Sequence, residues 1–262
     1  LGLNVFMMQF RIPTVFYRRH YNHWHNENNR VPEPVSVQAM EQWKRQCEAE
    51  IAKRGLQFHD MGHGWTAEPF GISSVGGWNK DDENPVPEET RQYLAEMNGV
   101  RGLNNGVALN TNFCMSNPEA RKIFTKCVCD YAELNTNVDY LHVWLADGSR
   151  NHCECEECRK MRPSDYYMMI MNEIDAELTA RGLNNRIGGC IYSETAYEPT
   201  CEHLNNPERF IFILGAITRS YCYSVPKDPV VEKFTPFVLN VSGRPETMEE
   251  HIVRAKRWRE FA

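Results

Sequence analysis

The chain has 262 residues, of which 42% are hydrophobic and 24% are charged, an ordinary composition for a globular protein. Its formal net charge of -6 gives no basic surface for nucleic acid. No apolar run reaches the roughly 18 residues that a membrane span needs. We therefore expect a protein of one large or two smaller domains without nucleic-acid or membrane partners, and the sequence leaves its oligomeric state open.

Strand-like and helical segments alternate along the chain. A strand over 1–10 is followed by a polar loop, a helix over 37–54 and a second strand over 55–64. Ser36 is the expected N-cap of that helix, and Gly55 ends it. The segment 65–116 reads as one long irregular loop rich in Gly, Asn and Pro, and loops of this length are usually functional.

The second half repeats the alternation. Asn117 caps a helix that starts at Pro118 and runs to about Leu134, and a third strand follows over 139–148. Ser164 is the expected cap of a helix over 165–181, which Gly182 ends. Two more strands lie at 186–194 and 209–217, and Thr247 caps a last helix over 248–261.

This order predicts an α/β fold with a parallel sheet covered by helices. The chain lacks the glycine-rich phosphate-binding motifs of nucleotide-binding folds. Polar and aromatic residues instead collect after the strands, where a (β/α)8 TIM-type barrel places its active site. Five of eight strand–helix units can be recognised. We therefore expect an incomplete barrel, with residues 1–262 as a single barrel domain or a fragment of one and the loop 65–116 as an insertion.

Two carboxylates close neighbouring strands in this scheme. Asp147 ends the third strand and Glu194 ends the fourth. Glycoside hydrolysis uses two carboxylates, one as acid and one as nucleophile or base, so we take this pair as the candidate catalytic residues. Glu83, Glu88 and Glu198 in nearby loops are reserves. Asp147 could equally cap the turn that follows it.

Other residues after the strands suggest sugar recognition. Histidines can donate to hydroxyl groups, Trp65 or Trp78 can stack on a sugar ring, and arginine can hold a carboxylate. The candidate substrate-binding residues are His59, Asp60, His63, Trp65, Arg101, Tyr192, Arg219 and Tyr221. His59 and His63 are expected on the same face of one strand, so they could alternatively bind a hydrolytic metal.

The segment NHCECEEC contains Cys153, Cys155 and Cys158 in a C-x-C-x-x-C array. Thiolates at this spacing can wrap one tetrahedral zinc ion, with Cys114 or His152 as the fourth ligand. The acidic neighbours oppose thiolate formation without a cation, which favours a metal. Such a site is closed and structural. Three reduced thiols, or one disulfide and a spare thiol, remain the alternatives. No organic cofactor is expected.

Several stretches together resemble a known family: GLNVFMMQF, KRGLQFHDMGHGW, the NFCMSNPEARK run and DYLHVWLADGSRNHCECEEC. It is a large bacterial family of uncharacterised glycoside-hydrolase-like proteins, known as a domain of unknown function. Its members look like distant relatives of family 67 alpha-glucuronidases and family 20 beta-hexosaminidases. The resemblance implies a (β/α) barrel and carbohydrate hydrolysis. An adjacent Asp-Glu pair is typical of family 20, but Gly148 follows Asp147 here, so substrate-assisted hydrolysis is not supported.

The leading hypothesis is a bacterial glycoside hydrolase, cytoplasmic or exported, acting on a polysaccharide or oligosaccharide. Uronic acids would suit the candidate arginines. The resemblance implies that the first strand here corresponds to the second strand of the barrel, so a catalytic carboxylate on strands seven or eight would lie outside this chain. Two alternatives stay open. One is a carbohydrate-binding barrel without activity, and the other is a metal-dependent hydrolase that uses the histidines after the second strand.

Overall fold

The computed structural model describes residues 2–9, 13–23, 30–80, 85–217 and 219–262. Five of the strands in these residues form one parallel sheet, whose order β1-β2-β5-β6-β7 follows the chain, and β3 and β4 form a separate antiparallel hairpin. The strands are β1 (Val5–Gln9), β2 (Gln57–Met61), β3 (Glu96–Met97), β4 (Val100–Arg101), β5 (Tyr140–His142), β6 (Arg186–Tyr192) and β7 (Phe210–Gly215).

Helices connect the strands of the parallel sheet. The helices are α1 (Pro13–Tyr21), α2 (Val37–Lys53), α3 (Glu88–Arg91), α4 (Pro118–Leu134), α5 (Pro163–Ala180) and α6 (Met248–Trp258). Helices α2, α4 and α5 lie in the connections β1–β2, β2–β5 and β5–β6, which confirms the predicted alternation. None of the helices in the described ranges is both long and apolar enough to span a bilayer.

The helix boundaries follow the expected local chemistry in most places. Ser36, Asn117 and Thr247 each accept a hydrogen bond from a backbone N–H of the first helical turn. The prediction for Ser164 was wrong, because α5 begins at Pro163 with Arg162 as its N-cap. The fixed φ of proline suits the first helical position, and the Asp165 side chain accepts from the Arg162 N–H at 3.3 Å.

Side chains of alternate parity on the strands face two different environments. Phe58, Leu141 and Ile187 are fully or nearly fully buried in the main core. The core also contains Phe124 of α4 and Met171 of α5, so this face of the sheet packs against the helices. The residues between them, which include His59, Tyr140 and His142, belong to the opposite face.

Two irregular regions are more ordered than the sequence indicated. The segment expected as a polar loop after β1 contains α1. The long insertion contains α3 and the β3–β4 hairpin, and its Trp65, Phe70 and Phe113 are fully buried. Phe113 stacks on Phe124 of α4 with ring centroids 4.8 Å apart. The described parts of the insertion are therefore packed into the fold.

The predicted third strand is shorter than expected. Regular pairing covers only Tyr140–His142, although the Val143 N–H still donates to the Gly188 carbonyl at 2.8 Å. The sheet itself is open, because β1 and β7 each pair on one side only within the described ranges. The structure thus shows a mixed α/β fold with a five-stranded parallel sheet, and the described residues do not form a complete eight-stranded barrel.

Candidate functional site

The C-terminal ends of β5 and β6 and the segment after β2 meet at one edge of the sheet and enclose a small cleft. We call it the strand-end cleft. Its inner cavity has a volume of about 20 Å³ and is lined by His63, Trp144, Leu145, Ala146, Gly148, Asn151, His152, Cys190, Tyr192, Ser193 and Thr195. This is the edge at which parallel α/β proteins usually bind their ligands.

Asp147 lies between two lining residues of this cleft and is partly exposed. Its Oδ2 accepts the indole N–H of Trp78 at 2.7 Å, and its Oδ1 accepts the backbone N–H of Gly148 at 2.7 Å. Gly148 has a φ of +95°, a value that side chains rarely adopt, so the turn after the carboxylate depends on glycine. Both oxygens of Asp147 are therefore held in place by N–H donors.

Two buried asparagines fix the backbone on both sides of Asp147. The Asn112 side chain accepts the N–H of Ala146 at 3.0 Å and donates to the Asn151 carbonyl at 3.2 Å. The Asn151 amide donates to the Asp147 carbonyl at 2.8 Å. A carboxylate on a backbone held at several points has little freedom to move, as a binding or catalytic group requires.

His63 and Tyr192 are the titratable neighbours of Asp147. Burial raises the pKa of Tyr192 to about 12, and the charge of Asp147 adds to this rise. Burial lowers the pKa of His63, although the charge of Asp147 opposes it. His63 Nδ1 lies 3.2 Å from the Leu145 carbonyl, which can only accept, so Nδ1 carries the proton and Nε2 is an acceptor.

Glu194 occupies a different environment from Asp147. It is 0% exposed, and its Oε1 accepts the backbone N–H of Arg150 at 2.7 Å while its Oε2 accepts the Ser193 hydroxyl at 2.8 Å. Arg150 has a φ of +59° and Ser193 a φ of +53°, so the carboxylate stabilises two uncommon backbone conformations. The structure does not present the predicted carboxylate pair to one open cleft, because Glu194 is enclosed.

Asp60 lies on the helix-facing side of the sheet and not in the strand-end cleft. It is 0% exposed and accepts from Lys44 of α2 at 2.8 Å and from the Tyr131 hydroxyl of α4. Burial raises the pKa of Asp60, while Lys44 opposes this rise. The prediction that Asp60 binds substrate assumed the wrong face of β2, since Asp60 alternates with His59 along the strand.

His59 and His63 do not converge on one point, contrary to the expectation that they share a strand face. β2 ends at Met61, so His63 lies in the following turn. His59 stacks on Tyr140 with ring centroids 4.3 Å apart, and its Nδ1 is 3.0 Å from His142 Nε2. Burial lowers the pKa of His59, and it lowers that of His142 to about 4. Neither histidine belongs to a metal-binding group among the described residues.

The remaining aromatic and basic candidates differ in exposure and in their distance from the cleft. Trp65 is 0% exposed and its indole donates to the His142 carbonyl at 2.9 Å, so it cannot stack on a ligand, whereas Trp78 is 40% exposed. Arg219 lies over the ring of Tyr221 at 5.0 Å, and neither side chain lines the strand-end cleft. Trp78 is therefore the better candidate for a stacking platform.

Two of the three reserve glutamates, Glu88 and Glu198, do not line the inner cavity of the strand-end cleft. Glu88 forms a surface ion pair with Arg91 at 2.9 Å. Glu198 pairs with Arg254 at 2.8 Å and Arg257 at 3.2 Å, which ties the end of the chain to the segment after β6. Glu83 lies outside the described residues.

The second candidate site is a cluster of four cysteines, Cys114, Cys153, Cys155 and Cys158. Their sulfur atoms all lie within 4.8 Å of one another, and only Cys155 is not fully buried. Cys114 Sγ is 3.7 Å from Cys155 Sγ and 3.8 Å from Cys158 Sγ. Four thiolates bound to one metal ion at about 2.3 Å would lie about 3.8 Å apart. The cluster can therefore hold a metal ion.

Polar groups surround the sulfur atoms. The Glu96 N–H donates to Cys153 Sγ at 3.2 Å, and the Cys158 thiol is 3.0 Å from the Ser116 hydroxyl. Hydrogen bonds with Cys153 and Cys158 lower the pKa of Cys114, and the hydrogen bond with Cys114 raises the pKa of Cys153 to about 11. The four sulfur atoms are therefore close enough to one another to bind a single metal ion.

Arg101 belongs to this cluster and not to the strand-end cleft, where it was predicted to bind substrate. Its Nη1 lies 3.9 Å from Cys153 Sγ and donates to the Leu94 carbonyl at 2.6 Å. The β3–β4 hairpin brings it there, because it is the last residue of β4. A guanidinium at this position offsets the negative charge of thiolates.

His152 does not join the sulfur atoms, although it precedes Cys153. Its ring is buried and lines the strand-end cleft, where burial lowers its pKa and the charge of Glu194 opposes this change. Its backbone N–H donates to the Asn240 side chain at 3.0 Å, and the same side chain donates to the His152 carbonyl at 2.8 Å. Asn240 therefore fixes the backbone between the cleft and the cluster.

Sequence reasoning missed several residues of both sites. Trp144 lines the cleft, and Ser116 and Glu96 contact the sulfur atoms. The pattern Cys114-Met-Ser116 was the available signal for Ser116, since it places a hydroxyl two residues from a candidate ligand. Nothing in the sequence marks Glu96, whose contribution is a backbone N–H.

Comparisons with known proteins identify no family for this chain. No protein-family model matches it, and no curated protein matches it. Among solved structures, the native form of the debranching enzyme of Nostoc punctiforme aligns with a TM-score of 0.34 and 13% identity, over 73% of this chain and 36% of the enzyme. The chain thus spans about a third of that enzyme. Similarity this low says nothing about the fold or activity of this chain.

Proposed function

We propose that the chain is a glycoside-hydrolase-like domain whose strand-end cleft binds carbohydrate around Asp147. The supporting observation is the partly exposed carboxylate of Asp147 at the end of β5, held by the indole N–H of Trp78 and flanked by Tyr192 and His63. Sugar sites combine an aromatic platform with a few polar groups that bind hydroxyls, and this edge offers both. The ligand is a polysaccharide or oligosaccharide, and Arg101 and Arg219, which were predicted to hold a uronic acid, do not line the inner cavity.

The proposal includes the fold around the cleft. We propose that the parallel sheet is part of a (β/α) barrel, with residues 1–262 forming one barrel domain or a fragment of one and 65–116 as an insertion. Five parallel strands in chain order, with α-helices in three of the four connections, support this fold. In such a barrel, further strands would pair with the free edges of β1 and β7, and the strand-end cleft would widen into the barrel mouth.

The roles of the two carboxylates differ in this proposal. Asp147 is the group that contacts the sugar, as nucleophile, base or hydroxyl acceptor. Glu194, the other predicted catalytic residue, supports the loop after Asp147 through the Arg150 N–H and is a positioning residue. A second reacting group is then His63, whose Nε2 can accept a proton, or a carboxylate outside the described residues.

The test is the exchange Asp147→Asn, assayed on a panel of glycans with the longest available form of the protein. Turnover should fall by about 10²–10⁴-fold, because the carboxylate is lost while the shape of the site is kept. Glu88→Gln, a change in an exposed glutamate, is the matched control and should keep full turnover. Unchanged turnover in Asp147→Asn would contradict the role of Asp147. Glycan binding without turnover in the unaltered protein would show a binding domain instead.

For the cysteine cluster, we propose one structural zinc ion bound by Cys114, Cys153, Cys155 and Cys158. The sulfur separations of 3.7 and 3.8 Å support a single tetrahedral ion, because clusters with several irons hold their cysteine sulfurs further apart. Four sulfur ligands leave no open position, so the ion would stabilise the loop and take no part in hydrolysis. Arg101 would offset part of the charge of the four thiolates.

Metal analysis of the purified protein tests this assignment. We expect about one zinc per chain, and replacement by cobalt(II) should give the strong visible bands of a tetrahedral four-sulfur site. A content of one iron per chain would confirm that the cluster binds a metal but would show that the metal is iron and not zinc. A chain without bound metal whose thiols titrate as free or as disulfides would overturn the proposal.

A further inference from the structure

Two segments of the chain are joined by hydrogen bonds next to the strand-end cleft. One is the segment 109–114 near the end of the insertion, and the other is the loop that begins at Asp147. The Asp147 N–H donates to the Leu109 carbonyl at 2.8 Å, and the Asn151 amide donates to the Asn110 carbonyl at 3.0 Å. The backbone of the carboxylate is therefore held by the neighbouring segment.

A pair of buried asparagines, Asn112 and Asn151, joins the same two segments. We call them the asparagine pair; Asn112 is 1% exposed and Asn151 is 2% exposed. The Asn112 amide donates to Asn151 Oδ1 at 3.2 Å, and Asn112 Oδ1 accepts the Ala146 N–H at 3.0 Å. The Asn151 amide also donates to the Asp147 carbonyl at 2.8 Å. Because these amides are buried, they fix the backbone of Asp147 only while the two segments keep this alignment.

The cysteine cluster joins the two segments a short distance further along the chain. Cys114 lies two residues after Asn112, and Cys153 lies two residues after Asn151. Two residues of backbone span at most about 7 Å. Cys114 Sγ lies within 4.8 Å of Cys153 Sγ. One metal ion bound by both sulfurs would therefore cross-link the two segments close to the asparagine pair.

The sulfur atoms do not provide this cross-link without an ion. Cys114 Sγ is 3.7 Å from Cys155 Sγ and 3.8 Å from Cys158 Sγ, distances at which thiolates repel each other. Protonated thiols form only weak hydrogen bonds. A metal ion bound by four thiolates instead holds all four sulfurs at fixed positions. Binding of the ion would therefore tighten the alignment on which the asparagine pair depends.

A third piece of backbone limits how far the segments can separate. The Ala95 N–H donates to the Asn112 carbonyl at 3.0 Å, and the Glu154 N–H donates to the Glu96 carbonyl at 2.8 Å. Residues 95 and 96 thus contact both segments independently of a metal. We therefore expect metal loss to loosen the backbone around Asp147 and not to unfold it.

We propose that metal binding at the cysteine cluster sets the geometry of the strand-end cleft, with Asn112 and Asn151 as the positioning residues that connect the two sites. The ion aligns the segments, the asparagine pair then holds the backbone of Asp147, and the carboxylate is placed to bind a sugar hydroxyl. The effect on sugar rests on the proposed function of the cleft, whereas the effect on the backbone rests on the metal alone. Coupling between two binding sites is reciprocal, so bound sugar would raise the metal affinity by the same factor.

NMR spectra of the full chain with and without zinc test the coupling in the absence of sugar. The metal-free form is prepared with a chelator and kept reduced, so that no disulfide replaces the ion. The backbone amide resonances of Ala146 and Asp147 and the side-chain amides of the asparagine pair should shift or broaden when zinc is removed. Resonances of α2 (Val37–Lys53) should keep their positions. Unchanged resonances of Ala146 and Asp147 in the metal-free chain would overturn the coupling.

A pair of variants keeps the test decisive if the metal-free chain folds poorly. Asn112→Ala leaves all four cysteines in place, yet it should lower the zinc affinity by at least about fivefold, the lower end of ordinary coupling between sites. Asn172→Ala is the matched control, because the Asn172 side chain also binds backbone, the His203 carbonyl at 2.7 Å and the Asn205 N–H at 2.9 Å, but from α5. Competition with a chromophoric chelator measures the affinities. An unchanged affinity in Asn112→Ala, or equal losses in both variants, would refute the connection through the asparagine pair.

Glycan binding separates the coupling from the proposed function. The best glycan of the panel should bind the zinc-bound chain at least about fivefold more tightly than the metal-free chain, and zinc-saturated Asn112→Ala should lose a similar factor. Equal binding to the zinc-bound and metal-free chains would refute the effect on the cleft. A chain that binds no glycan would contradict the proposed function, while the spectra and zinc affinities would still decide the coupling to the backbone. A chain that binds no metal would overturn the coupling together with the zinc assignment.

Discussion

The strand-end cleft and the four-cysteine cluster use the same loop but are assembled differently. Three of the four cysteines lie within six residues, from Cys153 to Cys158, and one distant residue completes the set. The groups around Asp147 come from segments far apart in sequence, with Trp78 before it and Tyr192 after it. A ligand set with short spacing can therefore be predicted from the sequence, whereas a cleft depends on the tertiary fold.

The largest expected effect concerns the cluster. Cys153→Ser should abolish metal binding and lower the free energy of unfolding by at least about 3 kcal/mol, because a metal bound only by the folded state stabilises it. Metal content and chemical denaturation measure both quantities. Cys222→Ser, a change in an exposed cysteine, is the control and should alter neither. Equal stability of Cys153→Ser and the unaltered chain would remove the structural role of the cluster.

A second prediction concerns the pH dependence of stability, which should report on the sheet beneath the cleft and not on the cluster. Burial lowers the pKa of His142 from 6.5 to about 4, so the neutral ring contributes stability above about pH 6.5. This contribution is lost as the pH falls towards 4, and it amounts to about 3 kcal/mol because one pKa unit corresponds to about 1.4 kcal/mol. His142→Gln should flatten this part of the stability curve.

Denaturation of the chain between pH 7 and pH 4 gives the measurement. His203→Gln, at an exposed histidine, should keep the slope of the unaltered protein. If the free energy of unfolding of His142→Gln had the same slope against pH as that of the unaltered protein, acid would destabilise the chain through another group. Protonation of the cluster thiolates is the first alternative.

A smaller effect is expected at the rim of the cleft. Trp78→Phe keeps an aromatic ring but removes the N–H that Asp147 accepts at 2.7 Å. A hydrogen bond to a charged group contributes about 1.5–3 kcal/mol, so sugar binding or turnover should weaken by about tenfold to a hundredfold. Calorimetric titration with the best glycan of the panel measures the change. Trp43→Phe on α2 serves as control, and equal losses in both variants would argue against the contact.

The smallest effect is expected at Arg219. Its guanidinium lies over the Tyr221 ring at the surface, outside the strand-end cleft. Arg219→Ala should change sugar binding and stability by less than about 0.5 kcal/mol, as is usual for surface substitutions. A loss of affinity beyond tenfold would place Arg219 in the binding site and restore the case for an acidic sugar.

Much of the fold could be predicted from the sequence because it follows from local chemistry. Ser36, Asn117 and Thr247 mark helix starts through their side-chain oxygens, and Gly55 and Gly182 end helices with φ values of +65° and +70°. The strands were recognisable from apolar runs. Ser164 was misread because Pro163 next to it is an equally strong start signal.

The candidate site was harder to predict because it depends on the direction in which each side chain points. Asp60 and His59 are adjacent, yet strand alternation directs one to Lys44 and the other to Tyr140. Glu194 follows β6 as expected, but the positive φ of Ser193 places its carboxylate inside the fold. No sequence signal fixes such a backbone conformation in advance, since serine adopts it only when tertiary contacts stabilise it.

The engaged side chain of Asn240 has a practical consequence for producing the protein. Asn240-Val241-Ser242 is an N-glycosylation acceptor sequence. Its amide nitrogen already donates to the His152 carbonyl and to Glu154 at 2.9 Å. A glycan on this nitrogen would displace those contacts at the loop that joins the cleft to the cysteines. A eukaryotic secretory host that modifies Asn240 before folding is complete would therefore yield chains with a disturbed loop, whereas a bacterial host would not.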